Sequence, residues 1–249
     1  MNFSTSPAPS YAEVVERLFA RRSSDQVHSE HVRLEILAEI TSYLCATGSP
    51  DRRHTIHVTG TNGKGSTAIL VEAILRRAGA RTLLQTSPHL QEVTERIAID
   101  GRPLDSERFA RLAGALLDDP RCARWSFFDL VSVLGWLAGS ELDCDWQVLE
   151  VGIGGRLDTT NVVAAKEVAI LTSVDLEHTA ILGDTISEIA AEKAAIITSS
   201  CDVVVGRSVR EDAVERVRAA ADRVEARVHL LADECSTKRL ATSTVEQLV

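Results

Sequence analysis

Residues 57–66 read HVTGTNGKGS and bring three glycines, a lysine and the start of a helix into one turn. Gly60, Gly63 and Gly65 allow backbone N–H groups to turn inward around an anion. Lys64 adds a cation, and the helix that follows points its positive end at the same place. This is a phosphate cradle, although a strict Walker A spacing is not met: position 65 is Gly rather than Ser or Thr, and the first Gly is displaced. A second stretch, LEVGIGGRLDTTNVV, ends an apolar strand on Glu150 and continues into a glycine-rich loop. Parallel strands place ligands at their carboxyl ends, and hard Mg²⁺ prefers an oxygen donor of this kind; the plainer reading makes Glu150 a helix cap. In a third stretch, SVDLEHTAILGDTISEIAAEKAAII, a strand ends near His178 and Lys193 follows on an apolar helix. Taken singly, a histidine is by default a satisfied structural residue and a helical lysine a solvated one.

Positioning these groups requires strands that end on one side of a sheet. YAEVVERLFARR and SEHVRLEILAEITSYL carry apolar residues at helical spacing and predict two N-terminal helices. TIHVTG, GKGSTAILVEAILRRAG and ARTLLQTS then read strand, helix, strand, the order of a parallel crossover unit. Further strands are expected at DWQVLEVG, EVAILTSV, CDVVVG and ARVHLL. They alternate with helices at DSERFARLAGALLDD, SFFDLVSVLGWLAG, TISEIAAEKAAII and REDAVERVRAAADRV. The strands are continuous runs of Val, Ile and Leu, as in sheets covered on both faces. The expected fold is therefore α/β: a P-loop-type, doubly wound, mainly parallel sheet with helices on both faces.

Bulk properties narrow the function. The 249 residues are 45% hydrophobic and 25% charged, with a formal charge of −9, which disfavours a nucleic-acid or anionic-membrane footprint and leaves only a local anion site. Five cysteines, odd in number and without a CxxC pair, argue against a disulfide framework or a zinc site and fit a reducing cytoplasm. The start MNFSTSPAPS has no secretory pattern, and no apolar run is long enough to span a membrane. Residues 1–10 read as a leader, 11–232 as one α/β domain with the phosphate cradle and 233–249 as a tail.

Together the stretches resemble the folylpolyglutamate synthase/dihydrofolate synthase family of the Mur ligase group. The residues that carry the resemblance are HVTGTNGKGST, TSPHL with TERIAIDG, LEVGIGGRLDTTNVV and EHTAILGDTISEIAAEKAAI, in family order. The resemblance implies an ATP-phosphate loop at Thr61, Asn62, Gly63 and Lys64, within a nucleotide-binding turn of Gly60, Gly65 and Ser66. It implies Ser87 and Glu150 as ligands of one Mg²⁺ and His178 as a ligand of a second. Lys193 matches a lysine that many members carry as a carbamate, and Lys64, His178 and Lys193 would form the catalytic set. It also implies an acyl-substrate pocket at Phe128, Asp129 and Asp158. In the family a small-molecule carboxylic acid attacks the γ-phosphate of ATP, and an amine then displaces phosphate from the acyl phosphate to form an amide.

Departures accompany the matches. Glu177 stands where members often have Asp, Ala195 follows Lys193-Ala194 where Gly is usual, Asp129 stands where Glu is usual, and only VRLEI at 32–36 echoes the pterin loop. The family's second domain, with its acceptor site, has no counterpart in these residues. The expectation is a carboxylate-activating ligase half that needs a protein partner or self-association, or one that acts on a non-folate acid. The alternatives are a nucleotide-binding scaffold without turnover and a piece of a full-length folate enzyme.

Overall fold

The computed structural model describes residues 9–21, 29–47 and 50–231. The expected tail, and all of the expected leader except Pro9 and Ser10, lie outside the described residues. In chain order the elements are α1 (Tyr11–Ala20), α2 (Glu30–Thr47), β1 (His54–Thr59), α3 (Lys64–Arg77), β2 (Thr82–Gln85), β3 (Ile97–Ile99), β4 (Arg102–Pro103), α4 (Ser106–Asp118), α5 (Phe127–Glu141) and β5 (Trp146–Glu150). They continue with β6 (Val168–Leu171), α6 (Thr179–Leu182), α7 (Ile186–Ala194), β7 (Asp202–Val205), α8 (Glu211–Asp222) and β8 (Arg227–Leu230).

The strands form one sheet in the order β4-β3-β2-β5-β1-β6-β7-β8, and β2, β5, β1, β6, β7 and β8 run parallel. Successive strand side chains point to opposite faces, which explains why β2, β5, β6 and β7 carry consecutive apolar residues. Leu83 and Leu149 pack into the core built with α1, α2, α4 and α5, whereas their neighbours Leu84 and Val148 pack with Ala68, Val71 and Leu75 of α3. At the other end Ala169, Leu171, Val203 and Val205 bury against residues of α7 and α8, including Ala194, Val214 and Val217.

Two strands lie outside the sequence expectation. β3 is antiparallel to both β2 and β4, and its hairpin with β4 turns at Asp100 and Gly101, with φ of 49° and 73°. Two consecutive left-handed residues of the type Asp-Gly make the tight turn whose twist matches paired strands.

The helix starts differ in how they are capped. Ser10 caps α1, Asp105 caps α4, and α5 and α7 start with capping boxes, Ser126 with Asp129 and Thr185 with Glu188. By contrast α3 begins after Gly63, which has a φ of 81° and supplies no side-chain acceptor to the first turn. The first-turn N–H groups of α3 are thus left without a side-chain cap, as are those of α6 and α8, and in α3 they follow the glycine turn that carries Lys64.

Candidate nucleotide and metal site

β1 sits where the strand order reverses, with β5 on one side and β6 on the other, and its carboxyl end leads into the glycine turn. In open α/β sheets such a switch point is where ligands lie. Gly60 has a φ of 145°, and a Cβ there would stand 2.0 Å from the Thr172 hydroxyl, so the turn is closed against the end of β6. Several bonds hold it: among them Thr61 N–H donates to Ser173 O at 2.9 Å, Asn62 N–H to Ser173 Oγ at 2.9 Å, and Thr172 Oγ1 to Asn62 O at 2.7 Å. The Lys64 ammonium folds back over the turn and donates to Gly60 O at 2.8 Å and Thr61 O at 3.3 Å. Gly65 begins the helix face beside it, and Ser66 is exposed one residue on.

Glu150, last residue of β5, reaches this turn. A Cβ on Gly65 would be 3.2 Å from Glu150 Oε2, and the same oxygen accepts from the Ser87 backbone N–H at 2.8 Å. The absence of a side chain at 65 therefore lets a carboxylate lie against the start of α3. Burial lifts the Glu150 carboxyl above its ordinary range, against the pull of the Ser87 amide and the charges of Lys64 and Arg96. A buried carboxylate beside a serine and a phosphate-type turn is a hard-oxygen donor set and fits Mg²⁺ better than a soft metal.

His178 stands on the connection between β6 and α6. Its backbone is left-handed (φ 45°), it heads α6, and its side chain is exposed. Among the described residues no three His, Cys, Asp or Glu side chains are grouped as a metal cage. The neighbour of His178, Glu177, turns inward. Glu177 accepts from Lys193 Nζ at 2.5 Å and from Thr61. Burial opposes the Glu177 charge, but Lys193, Thr61 and Lys64 together hold its carboxyl below the ordinary range. Lys193 is 1% exposed. Burial and the nearby Lys64 charge pull its ammonium down in pKa, and Glu177 partly restores it. Lys193 is thus tied through one carboxylate to the phosphate turn.

The glycine-rich loop after β5 is built around Asp158. Its Oδ2 accepts from the N–H groups of Gly152 (3.0 Å) and Ile153 (3.2 Å), and its Oδ1 accepts from the Thr160 N–H (2.9 Å) and hydroxyl. Because that hydroxyl gives its proton to Asp158, the buried His57 Nε2, 2.8 Å away, is the donor to Thr160 Oγ1. Asp129 is similarly engaged. Ser126 N–H and Oγ donate to Oδ2, while Thr159 and the Arg33 guanidinium, the latter at 2.8 Å, hold Oδ1. Both carboxylates organise loops. Phe128 does face a cleft, with Gln85, Thr86, Arg96, Thr160 and Glu150 around it.

Removing one partner of the buried Arg33–Asp129 pair leaves an uncompensated charge. Asp129→Ala is expected to destabilise the fold by about 3–5 kcal/mol, read from the urea midpoint. An unchanged midpoint would show the pair to be energetically idle.

Arg96 is a site residue that the motifs contained but did not reveal. It lines the cleft with Glu150, donates from Nε to His89 Nδ1 at 2.8 Å, and lies 5.1 Å from the centre of the Phe127 ring. Its position depends on the β3 hairpin, which sequence periodicity did not show.

No family model matches the chain. It is 36% identical to mitochondrial folylpolyglutamate synthase of Bos taurus over 201 residues, covering 76% of this chain and 32% of that protein. It is 35% identical to dihydrofolate synthase/folylpolyglutamate synthase of Mycobacterium tuberculosis over 225 residues, covering 82% and 46%. The solved structure of Mycobacterium tuberculosis folylpolyglutamate synthase complexed with ADP matches with a TM-score of 0.72 at 33% identity, over 87% of this chain and 50% of that one.

The chain belongs to the folylpolyglutamate synthase/dihydrofolate synthase family. It spans about a third to a half of the length of the relatives it matches. Within this family, part of the Mur ligase superfamily, it carries the P-loop-type fold. Among the described residues, no helix of this family member is long and apolar enough to cross a membrane.

Proposed function

We propose that the chain binds ATP with Mg²⁺ and activates a small-molecule carboxylic acid for amide formation, as the carboxylate-activating half of a ligase. The observation that carries this reading is the meeting of Lys64 and Glu150 on one turn, permitted by the bare Gly65. The ADP complex of the Mycobacterium tuberculosis relative supports the choice of nucleotide.

In this reading the first-turn N–H groups of α3 and the Lys64 ammonium bind and orient the nucleotide phosphates, and Glu150 with Ser87 would hold Mg²⁺. When bound, the ion neutralises charge on the transferring phosphoryl group. The acid's carboxylate oxygen attacks the γ-phosphorus as the bond to ADP breaks, and an amine then displaces phosphate from the activated carboxyl. Phe128 and Arg96 border the cleft in which that carboxyl would sit beside Glu150. Carbamylation of Lys193 belongs to the same proposal. Burial favours its neutral, nucleophilic amine, and the carbamate would release Glu177 from Nζ; a bicarbonate-derived ¹³C signal that disappears in Lys193→Ala would mark it.

The acceptor half, which positions the amine, is proposed to come from a partner chain, from a second copy, or from further sequence of the same polypeptide. The departures at Glu177, Asp129 and Ala195 favour a non-folate acid. The test is product analysis by mass spectrometry with dihydropteroate or folate plus glutamate and ATP. Little amide is expected from these 249 residues alone, with substantial synthesis once an acceptor domain or the true acid is supplied. Robust glutamylation by the chain alone, lost in Glu150→Gln, would overturn the requirement for a second component.

A further inference from the structure

The sequence holds only four lysines, at 64, 166, 193 and 238. Lys64 and Lys193 belong to the site above, and Lys166, 5% exposed, lies behind it. Its Nζ donates to Asn161 Oδ1 at 2.8 Å and to the backbone oxygen of Ile196 at 2.9 Å. Asn161 in turn donates from Nδ2 to Ala195 O at 3.3 Å and to Arg156 O at 3.4 Å. Arg156 N–H donates to Glu192 O at 3.0 Å, and its guanidinium holds the Glu192 carboxylate at 2.8 Å and that of Glu30 at 2.5 Å. Gly155 is packed so closely that a Cβ would come within 2.7 Å of Glu192 O and 3.1 Å of Lys193 O.

The contacts to Glu192, Lys193, Ala195 and Ile196 fall on the last turn of α7 and its exit, where carbonyl groups have no partners within the helix and a cation is favoured. The side chain of Lys193 leaves this same turn toward Glu177 and the phosphate loop. We propose that Lys166 is a positioning residue for Lys193: its buried ammonium, working through Asn161 and the Ile196 carbonyl, locks the end of α7 so that Lys193 Nζ meets Glu177. The proposal rests on the reading of Lys193 as part of the nucleotide site, but the placement of the lysine can be measured without any turnover. An ammonium suits the task because it satisfies two oxygen acceptors from one buried point. Its attachment just before β6 anchors the α7 exit to the strand that also pins the phosphate turn.

The experiment is acylation footprinting of the native chain with an amine-reactive ester, read by mass spectrometry for each lysine. In the wild type Lys193 should be strongly protected. In Lys166→Met, which keeps the apolar stem and removes the charge, its acylation rate should rise several-fold, with the rate at Lys64 unchanged. Asn161→Ser should have a similar, smaller effect, and serves as the main variant if Lys166→Met does not fold. Where wild-type ATP hydrolysis is measurable, Lys166→Met should lower kcat while leaving ADP affinity by calorimetry within about twofold. In a Lys193→Ala background it should lower kcat no further. Unchanged protection of Lys193 in folded Lys166→Met or Asn161→Ser overturns the positioning role whether or not the chain turns over. Absence of any hydrolysis above the Glu150→Gln background would count against the proposed function alone.

Discussion

Replacing Lys64 with alanine is expected to weaken MgADP and MgATP binding by roughly ten- to a hundredfold, the range for one hydrogen bond to a charged group worth about 1.5–3 kcal/mol. In the structure the ammonium lies over the turn on the carbonyls of Gly60 and Thr61, on the same side as the uncapped start of α3. A phosphate there would meet both the cation and the helix N–H groups, and alanine leaves only the latter. The fold should tolerate the change, since Lys64 is only partly buried and its two acceptors are loop carbonyls. Isothermal calorimetry on folded protein is the measurement, and equal affinities for wild type and variant would defeat the phosphate-cradle assignment.

Glu150→Gln is expected to remove Mg²⁺-dependent turnover, by a factor on the order of 10²–10³, the scale seen when a group stabilising transition-state charge is lost. Its effect on stability should have the opposite sign. Burial raises the Glu150 carboxyl above its unfolded value, so the folded state favours the protonated form. The stability this gives is fully present below the unfolded pKa and is lost as pH rises through the folded one. Glutamine never ionises and keeps an oxygen for the Ser87 N–H. The variant should therefore unfold at a denaturant midpoint equal to or above that of the wild type at neutral pH, and the gap should close on acidification. Loss of stability together with activity at neutral pH would show that Glu150 is a structural cap, the plainer reading of the sequence.

Much of the architecture was legible because its strands are buried on both faces. CDVVVG carries an unbroken apolar run, TIHVTG and DWQVLEVG carry Ile, Val, Leu and Trp between few polar residues, and the bounds of all three agree with β7, β1 and β5 to within a few residues. The hairpin of β3 and β4 was not, although Asp100-Gly101 is a recognised turn signal, because strands of three and two residues carry no measurable period. The site shows the same division. Glycines and Lys64 announce themselves because backbone torsion and charge are local properties. Whether a carboxylate faces a ligand or its own loop is decided by distant partners. Asp129 is claimed by Arg33 from α2 and by Thr159, and nothing in SFFDLVS shows that. Likewise Glu177 and His178 are adjacent in sequence, and only the left-handed backbone at 178 separates an inward carboxylate from an exposed ring.

The short hairpin also bears on how the molecule behaves in a crowded solution. A sheet grows by accepting foreign strands along a row of unsatisfied backbone N–H and C=O groups, the route to aggregation that natural folds must block. At the β4 margin only Arg102 and Pro103 offer such a row. The ring of Pro103 has no N–H to donate, and the cationic Arg102 beside it is exposed. This end of the sheet is therefore a poor template for edge-to-edge addition, and polymerisation through it is disfavoured whatever the chain is later joined to.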